Sequence, residues 1–132
     1  MKELAFRLTE GEDLKKSLVD KCSTIDTAIV LSCVGSLSNI NLRLAGAKEY
    51  LIVQKDFEIV SITGTISRGK VHIHMSVADE RGNVYGGHLK EGCIVNTTAE
   101  IVLGILDNYK SERVFDSQTN YEEIVFREVI DD

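Results

Sequence analysis

The chain of 132 residues contains three histidines, and all of them lie in the segment VHIHMSVADERGNVYGGHL. His72 and His74 are separated by one residue, and His88 follows the pair Gly86–Gly87. Residues i and i+2 of a β-strand project from the same face, so His72 and His74 can converge on one ion. An antiparallel partner strand would bring His88 back to that face, and the glycines before it would permit close backbone approach. Three neutral imidazoles with an open fourth position are typical of a catalytic or ligand-accepting Zn²⁺ site, which Ni²⁺ or Fe²⁺ would also suit.

The alternative interpretation is a polar sheet face on which the histidines bind nothing, because a lone His-x-His pair is a weak signal. The confinement of every histidine to one segment favours the metal site. Three carboxylates lie nearby in the sequence, and each could either orient a metal ligand or be a solvated turn residue. They are Asp79, Glu80 and Glu91.

The elements that must position the histidines are mostly strands. Runs rich in β-branched and apolar residues predict six of them, at Thr27–Gly35, Tyr50–Val53, Phe57–Ser67, Lys70–Ala78, Thr97–Leu106 and Tyr121–Arg127. The run Thr97–Leu106 could instead be helical. Turn residues at Arg68–Gly69 and Asp79–Asn83 would fold neighbouring strands into hairpins. Gly64, inside a strand pattern, indicates a bulge or a close backbone approach.

One helix is predicted near the start of the chain. The segment Thr9-Glu10-Gly11-Glu12 is typical of a capping box, in which Thr9 accepts from the amide three residues later and Glu12 reaches back. Leu14, Leu18 and Val19 recur at helical spacing, which predicts an amphipathic helix from Glu12 to about Cys22 that packs on a sheet. We therefore predict an α+β fold in a single domain, residues 1–132, with a mostly antiparallel β-sheet and flanking helices.

Composition and charge narrow the classes of function. No signal peptide is recognisable and no apolar run approaches the roughly 20 residues needed to span a bilayer, so we expect a cytoplasmic protein without a membrane partner. Cys22, Cys33 and Cys93 lie far apart, which predicts reduced, mostly buried thiols. The formal net charge of −6 argues against autonomous DNA binding, because basic side chains that neutralise phosphates supply most of that affinity.

Several enzyme classes place a His-x-His pair on a strand. A metal-dependent amidohydrolase barrel needs about 200 residues or more, which excludes it here. A cupin is the nearest architectural rival, but Glu80 stands too far beyond His74 to match the cupin glutamate. The Pro-x-Gly of the second cupin motif is impossible in a chain without proline. The chain also has no P-loop and no nucleophile elbow.

Four ordered motifs resemble the plant-and-prokaryote-conserved (PPC) domain, which accompanies AT-hooks in plant nuclear proteins and stands alone in bacteria and archaea. These motifs are Gly35–Asn39 with Leu42–Arg43, Phe57–Ser67, His72–His74, and Gly86–Leu89 followed by Glu91–Glu100. The resemblance covers nearly the whole chain. It implies a predominantly antiparallel α/β domain that assembles as a homotrimer. In the stand-alone prokaryotic members it also implies a metal held by the three motif histidines, here His72, His74 and His88.

The resemblance does not define an activity. Stand-alone members are often described as DNA-binding proteins, but that description leans on the AT-hooks of the plant relatives. This chain has no Arg-Gly-Arg-Pro core.

Three functions therefore stay open. The first is a trimeric metal-binding domain, with zinc as the expected ion and a small-molecule pocket in the polar loop of Ser36, Asn39 and Arg43. Arg43 could clamp a carboxylate or phosphate there, or form an ion pair at a surface or subunit interface. The second is a transcription-associated module that binds partners, DNA among them. The third is a metal hydrolase or cupin-like enzyme that uses a zinc-bound water and Glu91 or Glu100 as base.

Overall fold

The computed structural model describes residues 1–130, which form nine strands and one helix. In chain order these are β1 Lys2–Thr9, α1 Leu14–Lys21, β2 Thr27–Arg43, β3 Tyr50–Val53, β4 Phe57–Ser67, β5 Lys70–Ala78, β6 Val84–Leu89, β7 Ile94–Ile105, β8 Tyr109–Asp116 and β9 Tyr121–Glu128. Within residues 1–130, no helix is long and apolar enough to cross a membrane.

Seven strands form one antiparallel sheet in the order β1-β7-β2-β4-β5-β6, with β3 paired to β2. The long strand β2 pairs with β7 and β4 and, at its far end, with β6 through Leu42↔Leu89 and Arg43↔His88. Because β2 contacts both β4 and β6, strands β2, β4, β5 and β6 close into a ring of paired strands. Strands β8 and β9 form a separate hairpin, and we call it the C-terminal hairpin.

The hydrophobic core combines buried side chains of β1, α1, β2, β4, β5, β6 and β7, and it explains which side chains of β5 point outward. Along β5, Ile73, Met75 and Val77 are buried, whereas His72 and His74, which alternate with them, are exposed. Successive strand residues face opposite sides of a sheet, so burial of the three apolar side chains requires the histidines to lie on the outer face. Each of those buried side chains contributes about 1.5–3 kcal/mol to folding.

The helix is shorter than predicted, and its N-cap is a different residue. Asp13 caps α1 by accepting from the backbone N–H of Lys16 at 3.0 Å. The hydrogen bond predicted from Glu12 back to Thr9 is present, since the Glu12 carboxylate accepts from the N–H of Thr9 at 2.7 Å. Thr9, however, ends β1 and does not start the helix. Leu18 is buried as predicted, while Val19 is exposed.

Because α1 is the one helix within residues 1–130, the fold is mostly β. The predicted antiparallel sheet is present, but the flanking helices of the predicted α+β fold are wrong. The segments that could have supplied further helices pair as strands instead. The run Thr97–Leu106 lies in β7 up to Ile105, so the strand interpretation is confirmed and the helical one is wrong. Residues Tyr109–Asp116, for which no element was predicted, pair along their whole length with β9.

Strand β2 also differs from its prediction. It was expected to end at Gly35, but register shifts on either side of Leu37 absorb the irregularity and the strand continues to Arg43. Ser36, Asn39 and Arg43 are therefore strand residues, and the predicted polar loop is wrong. By contrast, Phe57–Ser67 and Lys70–Ala78 have the bounds that the sequence predicted.

The cysteines are free thiols, as the sequence predicted. Cys22 and Cys93 are buried and Cys33 is half-buried. Burial raises the pKa of Cys33 and of Cys93 to about 11, so these thiols are neutral and unreactive at ordinary pH.

Candidate metal centre

The three histidines lie together on the outer face of β5 and β6. His74 stands directly opposite His88 in the β5–β6 pairing, and His72 is two residues further along the same face. The ring centroids are 5.3 Å apart for His72 and His74, 5.3 Å for His72 and His88, and 5.6 Å for His74 and His88. One ring nitrogen from each residue lies within 4.8 Å of the other two. The sheet thus presents three nitrogen donors to one point.

This donor set fits a divalent ion of the zinc kind. Tetrahedral coordination at a Zn–N distance of about 2.0–2.1 Å places donor nitrogens about 3.3 Å apart, so the rings need to turn inward only slightly. His72 and His74 are exposed and His88 is half-buried, so all three side chains have room to turn. Their backbone positions are held by the paired strands.

The surroundings favour the neutral form of two of the three imidazoles. Partial burial, and then the positive charge of Arg43, lowers the pKa of His88 to about 4. Partial burial, followed by the charge of Arg113, lowers the pKa of His72. A metal binds the unprotonated nitrogen, so a lowered pKa reduces the competition from protons at mildly acidic pH.

Two glycines permit the close strand approach that the cluster needs. A Cβ added at Gly64 would lie 2.2 Å from the carbonyl oxygen of His72, so the close approach predicted at this position is confirmed. A Cβ added at Gly87 would lie 2.7 Å from the carbonyl oxygen of Arg43 and 3.1 Å from the Leu42 side chain. Gly87 therefore lets β6 dock on the end of β2, next to His88.

Substitution of Gly87 is expected to disturb both the fold and the site. Because the carbonyl of Arg43 is backbone, Gly87→Ala must push β6 away from β2, and we expect its Tm to fall by at least about 5 °C. Gly86→Ala is the matched control, since its Cβ would meet its nearest atom at 3.3 Å and requires only a small adjustment. Thermal unfolding of the two variants measures the difference, and equal Tm values would contradict this role for Gly87.

Two clefts flank the histidine cluster. One, of about 410 Å³, contacts His72 and His88, and the other, of about 580 Å³, contacts His74 and His88. Arg43 lines both clefts, because it stands directly opposite His88 across the β2–β6 pairing. The C-terminal hairpin forms the far wall and contributes Tyr121 to both clefts.

The hairpin also supplies cleft residues that sequence reasoning missed. They are Arg113, Tyr121, Glu122 and Glu123. The segment around Arg113 is mostly polar and has no apolar alternation that would have indicated a strand. Tyr121, Glu122 and Glu123 did lie in a run that was predicted as a strand, but nothing in that run indicated that it would line a cleft at the histidines.

Of the three residues predicted to bind a ligand, the structure places only one beside the histidines. Arg43 lies beside the histidines, but the other two side chains bond elsewhere along β2. Ser36 accepts from the backbone N–H of Thr97 at 3.2 Å, and Asn39 donates to the carbonyl oxygen of Gly92 at 2.7 Å. Neither Ser36 nor Asn39 lines the two clefts at the cluster.

The carboxylates considered as orienting groups contact other parts of the molecule. Asp79 is buried in the turn before β6, where it accepts from Lys55 at 3.0 Å and from the backbone of Asn83 at 2.9 Å. Burial acts to raise the pKa of Asp79, but these hydrogen bonds outweigh burial and lower it. Glu80 is exposed on the same turn, and Glu91 lies 4.0 Å from Lys16 of α1.

The proposed base Glu100 also lies away from the histidines. It is on β7, and strands β2 and β4 separate β7 from β5. At about 4.8 Å per strand spacing, that is about 14 Å. Neither Glu91 nor Glu100 lines the clefts at the cluster. The carboxylates that do reach the first cleft are Glu122 and Glu123.

Fold and site together define a small antiparallel β-domain with three outward-facing histidines in one cluster. A family model agrees with this class: the Plants and Prokaryotes Conserved (PCC) domain matches residues 1–107. The chain belongs to that family, and the resemblance found in the sequence motifs is confirmed.

Known relatives extend the likeness over the whole chain. The bifunctional protein GlmU of Synechococcus sp. (strain JA-2-3B'a(2-13)) is 39% identical over 134 residues, which cover 100% of this chain and 21% of that protein. The chain thus spans about a fifth of the length of this curated relative.

Two solved structures share the fold. A hypothetical protein from Salmonella cholerae-suis is 30% identical with a TM-score of 0.92, over 98% of this chain and 95% of that one. The metal-containing protein AF0104 from Archaeoglobus fulgidus is 28% identical with a TM-score of 0.74, over 95% of this chain and 94% of that one.

Proposed function

We propose that this chain is a metal-binding PCC-domain protein in which His72, His74 and His88 hold one divalent ion, with zinc as the expected metal. The observation that carries the proposal is the convergence of three ring nitrogens within 4.8 Å on two paired strands. The Archaeoglobus relative, which is described as metal-containing, supports it.

Three protein ligands would leave a coordination position open, as in zinc sites that accept a water or a ligand. A bound ion would act as a Lewis acid at that position. The clefts on either side give small molecules access to that position, and Arg43 lies in both of them. We therefore propose a site that takes a ligand next to the metal, and we assign no reaction to it.

Metal analysis of protein purified without a histidine tag tests the proposal. After exposure to zinc and removal of free ion, we expect one equivalent per chain. A protein that retains no transition metal under these conditions would show that the cluster is only a polar sheet face.

We further propose that three copies assemble, as the family resemblance implies. The C-terminal hairpin supports an assembly because it exposes large apolar side chains on its two strands: Tyr109, Val114, Phe115, Tyr121, Val125 and Phe126. The strand register places Tyr109, Phe115 and Phe126 on one face of the hairpin and Val114, Tyr121 and Val125 on the other. Exposed apolar side chains grouped on one element favour a protein interface. A closed homo-oligomer is the commonest way to cover them.

We expect no tight binding of duplex DNA. Each chain carries a formal charge of −6, and a trimer would carry three times that charge, which repels phosphate at low salt. Titration of labelled duplex of arbitrary sequence at about 50 mM salt should give no submicromolar Kd. Submicromolar binding that weakens steeply as salt rises would reveal a basic face on the assembly and favour the DNA-binding alternative.

A further inference from the structure

We propose that the cleft between the histidine cluster and the C-terminal hairpin binds a small oxyanion, a carboxylate or a phosphate group, through Arg43, Arg113 and the open position of the metal. This inference rests on the proposed function, because the ion held by the histidines supplies one of the three contacts. It adds the class of ligand and a residue, Arg113, that no sequence motif marks.

The cleft has the size and position of a small-molecule site. Its volume of about 410 Å³ is within the range of ligand pockets, which are about 300–1,000 Å³. Its walls come from separate parts of the fold: Arg43 at the end of β2, His72 and His88 on β5 and β6, and Arg113 on β8. A ligand in it would contact the cluster on one side and the hairpin on the other.

Arg43 is placed beside the cluster by strand pairing. It stands opposite His88, so both side chains project from the same face of the sheet. Arg43 takes part in none of the ion pairs within residues 1–130. The three imidazoles beside it carry no negative charge that could pair with its guanidinium. Its planar guanidinium is therefore available to bind an oxyanion in a bidentate manner.

Arg113 is placed by a buried network under the hairpin. The Ser111 hydroxyl lies 2.5 Å from that of Thr27 and 2.7 Å from that of Ser67, and its backbone N–H donates to Asp26 at 2.8 Å. Ser111 is buried, so this network fixes the register of β8 on the main sheet. Arg113 is two residues further along, and it projects from the same face.

The network leaves most of the Arg113 guanidinium free. One nitrogen donates to the Thr65 hydroxyl at 3.4 Å, and Thr65 stands opposite His72 in the β4–β5 pairing. A guanidinium has five N–H donors, so most of them remain for a ligand. In the part of the chain that the structure describes, no ion pair involves Arg113.

The charges that line the cleft favour an anion. Arg43, Lys70 and Arg113 are basic, while Glu122 and Glu123 are acidic. Lys70 and Glu122 pair with each other at 3.1 Å, which leaves two guanidinium groups against one carboxylate. The balance is positive before a metal binds, and a divalent ion adds two further charges. This local excess stands out in a chain whose formal charge is −6.

The experiment uses protein loaded with Co²⁺, whose visible absorption reports changes at the metal. Inorganic phosphate and succinate are titrated in parallel, so that the two arms distinguish a phosphate from a carboxylate ligand. We expect one of them to change the cobalt spectrum with saturation. Arg43→Gln and Arg113→Gln should each weaken that binding by at least about tenfold, because each removes a charge-assisted contact.

Arg81→Gln is the matched control, since Arg81 is exposed on the turn before β6 and lines neither cleft. It should bind the anion as the wild type does, and all variants should retain one equivalent of cobalt. Equal anion binding in all variants, or no spectral change with either anion, would overturn the inference while the metal site stands. A wild type that holds no metal would instead remove the proposed function, and this inference with it.

Discussion

Replacing His74 by alanine is expected to abolish stoichiometric metal binding while leaving the fold intact. The side chain is exposed, so its loss creates no cavity, and the strand around it is held by Ile73 and Met75 in the core. Two remaining imidazoles form a much weaker chelate, and we expect the affinity for zinc to fall by more than about 100-fold, since even outer partners of metal ligands are worth 10–100-fold. Equilibrium dialysis followed by metal analysis measures the loss.

Thermal unfolding gives an independent measure of the same effect. A ligand at 100 times its Kd stabilises the folded state by about 2.7 kcal/mol, so zinc should raise the Tm of the wild type and leave that of His74→Ala nearly unchanged. Ser76→Ala is the matched control, because Ser76 lies two residues further along the same face of β5. A full equivalent of zinc in His74→Ala would show that the metal binds elsewhere or that His74 is not a ligand.

The histidine cluster could be predicted from the sequence because its geometry depends on short-range rules. Strand periodicity places His72 and His74 on one face, and a hairpin turn at Asp79–Asn83 returns His88 to that face. The apolar residues between the histidines also show which face is buried. Each of these features is contained within one hairpin, so no long-range contact had to be known.

Arg43 was predicted as a ligand-binding residue, but its position beside the histidine cluster could not be predicted, because that position depends on contacts between distant segments. Arg43 reaches His88 only because β2 continues past Gly35 and closes the ring with β6. A glycine inside an apolar run is an ordinary signal for a strand end, and the register shifts that carry β2 onward have no signature in the sequence.

The position of the C-terminal hairpin could not be predicted from the sequence for the same reason. Strand β8 is mostly polar, and it docks on the main sheet through hydroxyl groups of Ser111, Thr27 and Ser67, which come from three separate strands. No pattern within one segment indicates such a network. The position of Arg113 depends on it, so the charge that faces His72 becomes visible only in the structure.

The exposed aromatic residues of the same hairpin are expected to join the chains of the proposed trimer. Phe115 is 63% exposed, and in a trimer we expect it to lie in the contact between chains. Light scattering of the wild type at micromolar concentration should give about three times the chain mass of 14.7 kDa. Phe115→Glu should dissociate the assembly toward the mass of a single chain, because it places an unpaired charge in an apolar interface.

Gln118→Glu serves as the control for added charge. Gln118 lies in the exposed turn of the same hairpin, so its substitution introduces a negative charge without removing apolar surface. This variant should keep the mass of the wild type. If Phe115→Glu also keeps a trimeric mass, another surface joins the chains, and if the wild type itself is monomeric, the proposed trimer is wrong. Metal content measured on the same samples shows whether metal binding depends on assembly, since each chain contains all three histidines of the cluster.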